Sequence, residues 1–522
     1  MARQFDAIVI GSGLGGLTAA ALYARAGHKV LVLERNHQLG GAATVYQHGA
    51  LAIEASLHAI DGLDSGDPKQ PVLRALDLDR DISFVDVGDL HEVRSPLLGD
   101  PFVLPHGFDN AVAATQRRFP HHAKALRSYF ERIRAIREAI TLLNRHQDDR
   151  AWWLRSIPTL PRQLWPLLRD RHATVSSVFG RLFGTDEAVK LALASNLTYY
   201  TDDPDTAPFI TYAIPQASYL CGGGHYIRGG SQALSDRLAA IVREAGGCTE
   251  TGVEVDGLLL SGRRLRGVHY RPVDGALATE ALAPIVFGNA APTVLATMLP
   301  DDMRAHFLFP YQHRRFSISL WTISLGLRQP SRAFGVRHYS TSVFPSWFTS
   351  LARLREVAAL PGADQERQIS PYGFVAYDQI ESGLNAGGPF LASLVGVDRV
   401  ENWSGRSAEA KRDRKERWMD LIIADLDRQF PGIASAIAQR EMSTAETFQH
   451  YLNTPGGALY GFAPESRDFK PMASTTIDGL YLASAFTGGG GFTGAILGGA
   501  WAVRAALRDH GKRATRPTAA DY

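Results

Sequence analysis

Residues whose type and spacing fit chemistry stand at the front of the chain. Gly11, Gly13 and Gly16 follow the apolar run 7–10, and a second apolar run, 30–33, ends at Glu34. The order is strand, glycine turn, helix, strand and acid. Gly11 closes the turn where a side chain would collide with the incoming chain. Gly13 leaves the backbone bare, so that a pyrophosphate can reach the amide N–H groups at the N-terminus of the following helix. Gly16 lets that helix pack closely on its strand, and Gly15 belongs to the same turn. Glu34, about twenty residues on, can accept both ribose hydroxyls of an adenosine. A lone Gly-x-Gly-x-x-Gly is weak evidence. Here the flanking strands, the Ala-rich helix, the acid and a later pair, Gly40 and Gly41, agree with one another, and a purely structural turn would need none of them.

Which dinucleotide is bound is a separate question. Arg35 suits a 2′-phosphate, as in NADP, but Glu34 would repel that phosphate. The continuation from Glu34 through five residues to Gly40 and Gly41 resembles the FAD-binding fold of the glutathione-reductase type, whose glycine pair passes close to the flavin end of the cofactor. The resemblance implies FAD, with Arg35 kept among its contacts. Near the other end of the chain, Gly488, Gly489, Gly490 and Gly491 precede Phe492, Thr493 and a helix expected to run through Leu507. Successive glycines let backbone approach a flat ring, and the helix dipole favours the negative charge that a reduced flavin places near its N1 and O2. A flexible linker fits poorly, because apolar segments flank the run directly.

Holding these residues takes more than one core. At 522 residues the length argues for about three to four domain-sized units. An apolar share of 45% is ample for packing, and 21% charged residues is not the composition of a disordered chain. Lys plus Arg at 55 against Asp plus Glu at 53 leaves a formal +2, which gives no field for nucleic acid. Cys221 and Cys248 have no CxxC spacing and read as small core residues in a reduced, cytoplasmic setting. The first residues lack a basic and apolar leader pattern, and no uninterrupted apolar run reaches about eighteen residues. Residues 511–522 read as a frayed tail. Asp202, Asp203 and Asp205 are interrupted by Pro204 and followed by Pro208, so no metal site is expected.

Over 119–143, Leu126, Tyr129, Phe130, Ile133, Ile136, Ile140 and Leu143 recur at helical spacing, with Lys124, Arg127, Arg134 and Arg137 on other faces. Taken alone, such a helix is a solvated outer face over a core. The stretch 152–168 changes the weight, because Trp152, Trp153 and Trp165 stand among arginines and prolines. An indole with one polar N–H and a guanidinium that can sit on phosphate suit a headgroup boundary. A monotopic membrane patch is expected there, peripheral on the inner face, in preference to a substrate-domain wall. Further helix is expected over 175–194 and 408–430, and strands over 316–327, 372–377, 390–397 and 475–484.

The pattern Gly40, Gly41, Gly49, Glu54, His58 resembles the phytoene desaturase, carotenoid isomerase and retinol saturase group of FAD-dependent oxidoreductases. So do the helix start at Gly229, Gly230 and Ser231, the run 285–292, and the signature Tyr451, Pro455, Gly457, Ala458, Tyr460, Gly461. The resemblance implies an α/β protein with a Rossmann-like FAD-binding domain of glutathione-reductase type, built from 1–60, 221–297 and 470–510. A discontinuous α+β substrate domain over 61–118 and 298–469 and a helical, membrane-contacting region over 119–220 complete it. Val255, Ala290, Ser484, Gly490, Gly491, Phe492 and Thr493 are implied as further cofactor contacts. The implied chemistry falls on double bonds of a long apolar conjugated polyene, with His58, Tyr451 or Tyr460 as the group that gives a proton after hydride delivery.

The chain departs from the group's pattern in places. Leu258 stands where Val-x-x-Ile has isoleucine, no carboxylate follows Ser484, and the glycine run lacks the proline of carotene desaturases, which tilts the reading towards saturation. No second glycine-rich strand-turn-helix exists for NAD(P)H, so electrons come from or go to an external partner. A reductive cyclase of a polyene natural product, a flavin amine oxidase and a polyene or lipid carrier that retains FAD are the competing readings.

Overall fold

A parallel five-stranded sheet carries the glycine turn. In the computed structural model, which describes residues 3–146, 149–275, 277–363, 368–385, 387–464 and 472–509, its strand order is Cys248–Glu250, Val30–Leu33, Ala7–Ile10, Ile285–Gly288 and Leu480–Leu482. The tail expected at 511–522 lies outside the described residues. The two central runs are apolar at every position because both faces are covered. Ala7, Val9, Val30 and Val32 pack with helices Leu14–Arg25, Ser231–Glu244 and Gly491–Asp509. Ile8, Ile10, Leu31 and Leu33 pack against Val255, Leu258, Leu265 and Val268 of an antiparallel sheet. Strands far apart in sequence are thus brought to one layer, and their C-terminal ends share one edge.

A second sheet has seven strands in the order Ile437–Ser443, Ser319–Leu327, Phe390–Asp398, Tyr372–Ala376, Ser340–Val343, His91–Arg94 and Phe102–Leu104. One face meets helix Ala408–Gln429, where Trp418, Ile422 and Leu426 join Trp321, Ile323 and Leu325 in one core. The other face supports helices Ala123–Arg145, Val175–Phe183, Glu187–Ala194 and Phe209–Gly222.

Three local readings needed correction. The helix expected over 175–194 is two helices, because Gly184 turns with φ +59°. The strand expected over 475–484 shrinks to Leu480–Leu482, because Gly479, at φ +94°, bends the chain before it. Arg137 is not on a solvated face. It is buried, donating to Asp64 and, at 3.3 Å, to Ser218 Oγ.

Candidate active site

Gly11, at φ +88°, ends the first strand, and Gly13 stands at the N-cap of helix Leu14–Arg25. That helix start has no side-chain cap and no acid in its first turn, so its leading N–H groups are left for a ligand. A Cβ on Gly15 would lie 2.9 Å from the Ala483 carbonyl carbon and 2.9 Å from Ser484 Cα. Gly16 sits behind the turn, where a Cβ would come within 2.8 Å of Asn289 Cβ. Gly40 donates its N–H to Ser12 O at 3.1 Å, and Gly41 passes Gly13 so closely that a Cβ would sit 3.1 Å from Gly13 Cα.

Glu34 is buried, and its carboxylate is already engaged. Oε2 accepts from Ser12 N–H at 2.8 Å and Ser12 Oγ at 2.6 Å, while Oε1 accepts from Asn36 N–H at 2.7 Å. With two lone pairs on each oxygen, one further hydroxyl can bind to Oε1 in this arrangement. The second ribose hydroxyl expected from the sequence needs the Ser12 hydroxyl to turn away.

Arg35 does not reach for a phosphate. Its guanidinium donates to the carbonyl of His450, and Asn36 Nδ2 donates to the carbonyl of Tyr451 at 3.0 Å, so both cap the C-terminus of helix Ala445–Leu452. Tyr451 therefore stands beside the residues after Glu34, 59% exposed, and is withdrawn from the catalytic candidates.

The late glycine run turns tightly. Gly489 and Gly491 have φ +92° and +74°, and Gly490 lies against the ring of Tyr460, where a Cβ would meet Tyr460 Cβ at 2.6 Å. Ser484 is buried and accepts from Phe486 N–H at 3.3 Å. In the first turn of helix Gly491–Asp509, Thr493 Oγ1 donates to Asp61 Oδ1 at 2.6 Å.

All of this edges one cavity of about 1430 Å³, which runs on past Val255 and Ala290 at one end and past His58 and Tyr460 at the other. Beyond the glycines its wall is Tyr199, Tyr200, Ile210, Ile214, Leu320 and Val395. His58 Nδ1 shares a hydrogen bond of 2.9 Å with the Tyr199 hydroxyl. Three tyrosines fix the backbone beneath it: Tyr377 donates to Leu57 O at 3.0 Å, Tyr339 to His58 O at 2.6 Å, and Tyr219 to Ala59 O at 3.1 Å. Burial pushes the His58 imidazole down to about 4 and raises the hydroxyls of Tyr199 and Tyr460 above the usual tyrosine range. At neutral pH all three are uncharged, which suits an apolar ligand with few polar contact points. The residues missed in the sequence are Asp61, Lys69, Tyr199, Tyr219, Tyr339 and Tyr377, which meet only through long-range packing. The acids at 202–205 are not part of the site, since Asp203 and Asp205 pair with Arg355.

A pH dependence follows. His91, also in the cavity wall, is pushed by burial to about 4 as well. For both, the folded value lies below the unfolded one of about 6.5, so the unfolded chain binds more protons between them. Stability should fall as pH drops from about 6.5 towards about 4, by up to about 1.4 kcal/mol per pH unit for each histidine. Denaturant titration across that window checks it. The slope should shrink in His91→Leu, and an unchanged slope would contradict the assignment.

At its far end the cavity is lined by Trp153, Leu164, Leu167, Leu168 and Arg171. The outward side of this mouth exposes Leu154 at 71%, Ile157 at 59%, Trp165 at 58% and Leu168 at 50%. Trp152 instead stacks on His146, with ring centroids 4.2 Å apart. Helix Trp165–Asp170 is tied down by Asp170, whose buried carboxylate accepts from Arg132 Nε at 2.9 Å and Arg169 at 2.8 Å. Burial alone would raise that carboxyl, but the two guanidiniums hold it below the usual carboxylate range. Among the described residues no helix is long and apolar enough to cross a membrane.

Residues 9–76 match the family described as NAD(P)-binding Rossmann-like domain. Over nearly its whole length the chain is similar to a phytoene desaturase (neurosporene-forming) of Rhodobacter capsulatus, 26% identical over 98% of this chain and 96% of that protein. An all-trans-retinol 13,14-reductase of Danio rerio is 24% identical over 95% of this chain and 85% of its own length. A chloroplastic prolycopene isomerase of Daucus carota is 23% identical over 94% of this chain and 78% of its own. Among solved structures, cyclohexylamine oxidase from Brevibacterium oxydans superposes with a TM-score of 0.61 at 16% identity, covering 97% of this chain and all of that one, and shares the fold.

Proposed function

We propose, for a chain that belongs to the family of phytoene desaturases, prolycopene isomerases and retinol 13,14-reductases, that it is an FAD-dependent oxidoreductase acting on carbon–carbon double bonds of a long apolar conjugated polyene. The observation that carries this reading is the continuity of the large cavity. It joins a dinucleotide-shaped end, with an uncapped helix start and glycine cradles, to an apolar end walled by tyrosines. The residues fit FAD: Gly13 and the helix behind it for the pyrophosphate, Glu34 for a ribose hydroxyl, Val255 for the adenine, and Gly490 to Thr493 for the flat ring. When bound there, FAD supplies the hydride chemistry. The chain's own residues exclude water, lay the polyene along the ring, and offer neutral N–H and O–H groups at His58, Tyr199 and Tyr460. Saturation is the favoured direction, with electrons from an external donor. Purified protein should be yellow and release intact FAD on acid precipitation. Colourless protein that binds only NADPH would overturn the reading.

The mouth is proposed to dock on a membrane from which an insoluble polyene enters. The lipid-facing groups are Leu154, Ile157, Trp165 and Leu168; of the three tryptophans the sequence emphasised, Trp165 is kept and Trp152 and Trp153 are not. Replacing all four with serine should weaken partition to anionic liposomes by about tenfold or more, since each buried CH2 contributes about 0.8 kcal/mol. Flavin content should not change. Wild-type protein that stays in the supernatant at low salt would make this face an ordinary surface.

A further inference from the structure

Four carboxylates line the cavity: Glu34, Asp61, Glu254 and Asp256. Glu34 is bound to Ser12 and Asn36, and Glu254 and Asp256 lie on the strand whose first residue, Val253, donates to Glu34 O at 2.9 Å. These three belong to the nucleotide end. Asp61 alone, among the described residues, stands at the join between the glycine run and the tyrosine-lined half. Its Oδ1 is fixed by Thr493 Oγ1 at 2.6 Å, with Lys69 Nζ 3.7 Å away, and its own carbonyl accepts from Lys69 Nζ at 2.5 Å. Oδ2 has no partner among the described residues, and the side chain keeps 15% exposure, which opens to the cavity it lines. The hydroxyl of Tyr200 stands close enough to feel its charge, which adds to burial in raising that group. A carboxylate held by one oxygen and free at the other, facing an apolar chamber, is built to meet either a proton or a cation.

We propose that Asp61 is the acid–base group of the reaction and the counter-ion of a positive charge spread along the polyene, an assignment that rests on the polyene reading above. In saturation, the protonated carboxyl gives its proton from Oδ2 to one carbon of a double bond, and the π pair becomes the new C–H bond. The cation left on the conjugated chain then takes a hydride, with both electrons of the second C–H bond, from the reduced flavin, which is oxidised. Asp61 ends as the carboxylate and regains a proton from solvent. Desaturation runs the same transfers backwards. Isomerisation returns the proton to Asp61 after rotation in the cation, with no net electron transfer.

The test uses flavin-loaded protein and binding as well as turnover. Polyenyl ammonium ions, with the charge stepped along the chain, are titrated against neutral isosteres of the same length, following the flavin absorbance. At least one cation should bind about tenfold more tightly, equivalent to about 1.4 kcal/mol. That preference should vanish in Asp61→Asn, while neutral polyenes bind as before. Turnover should fall by about a hundredfold or more in Asp61→Asn, recover partly in Asp61→Glu, and place one solvent deuterium in the product of the wild type. If no cation is preferred by wild-type protein, the assignment is overturned, whether or not the variants fold. Asp61→Asn turnover within about tenfold of wild type would also overturn it. If neutral polyenes themselves leave the flavin spectrum unmoved, the polyene reading fails instead.

Discussion

Replacing Lys69 with methionine should cost about 3–5 kcal/mol of stability. Both Lys69 and Asp67 have side chains with no exposure, and Lys69 Nζ donates to Asp67 Oδ2 at 2.5 Å. Asp67 also accepts from the backbone N–H groups of Leu63 and Lys69, each at 2.8 Å. Removing the ammonium leaves a buried carboxylate with only those neutral donors, and the loop carrying Asp61 loses the bond to its carbonyl. Replacing Asp67 as well, by leucine, should return part of the loss, because no uncompensated charge then remains. Equilibrium denaturation of the single and double variants measures both. A single variant within about 1 kcal/mol of wild type would show that the pair is not sealed from water.

Gly15→Ala should lower flavin retention by about tenfold or more. The added methyl meets backbone, the carbonyl of Ala483 and Ser484 Cα, with no flexible side chain to yield. Helix Leu14–Arg25 must then shift from helix Gly491–Asp509, whose Gly499 is packed on Gly15 O. Overpacking of this kind costs about 1–3 kcal/mol, and each 1.4 kcal/mol is a factor of ten. Because the shift opens the cavity between the two helix starts, the loss should appear in the ratio of flavin to protein absorbance after dialysis, with far-ultraviolet circular dichroism retained. Full retention would contradict the close approach.

What could be read in the sequence was local. The glycine turn, the strand that ends at Glu34 and the glycine run before Thr493 are each set by spacing within a few dozen residues, and the fold follows from their order. The partners that complete the site are not local. Arg35 answers to the carbonyl of His450, and His58 to Tyr199, pairs that only the assembled sheets bring together. The signature containing Tyr451 and Tyr460 looked like one catalytic unit. In the fold, Asn453 at φ +52° and the turn at Pro455–Gly457 send Tyr451 to Asn36 and Tyr460 to the glycine run. The mixture of tryptophan, arginine and proline over 152–168 suggested a membrane patch, but not which of its side chains stay exposed. Trp152 finds His146 one helix away, while Leu154, Ile157 and Trp165 stay uncovered. Asp61 carried no signal at all, because an isolated acid is mute until Thr493 and Lys69 are placed beside it.

The most direct measurement is anaerobic. Flavin-loaded protein is reduced to completion, a conjugated polyene is added, and the flavin and polyene absorbances are followed together, with the product identified by mass. The expected result is reoxidation of the flavin in step with loss of polyene absorbance and a product carrying two more hydrogens. An isomer of unchanged mass over a flavin that stays reduced would keep the site and change the reaction class to isomerisation. If no polyene, added to reduced or to oxidised protein, changes either spectrum or emerges altered, the polyene-acting flavoenzyme is contradicted.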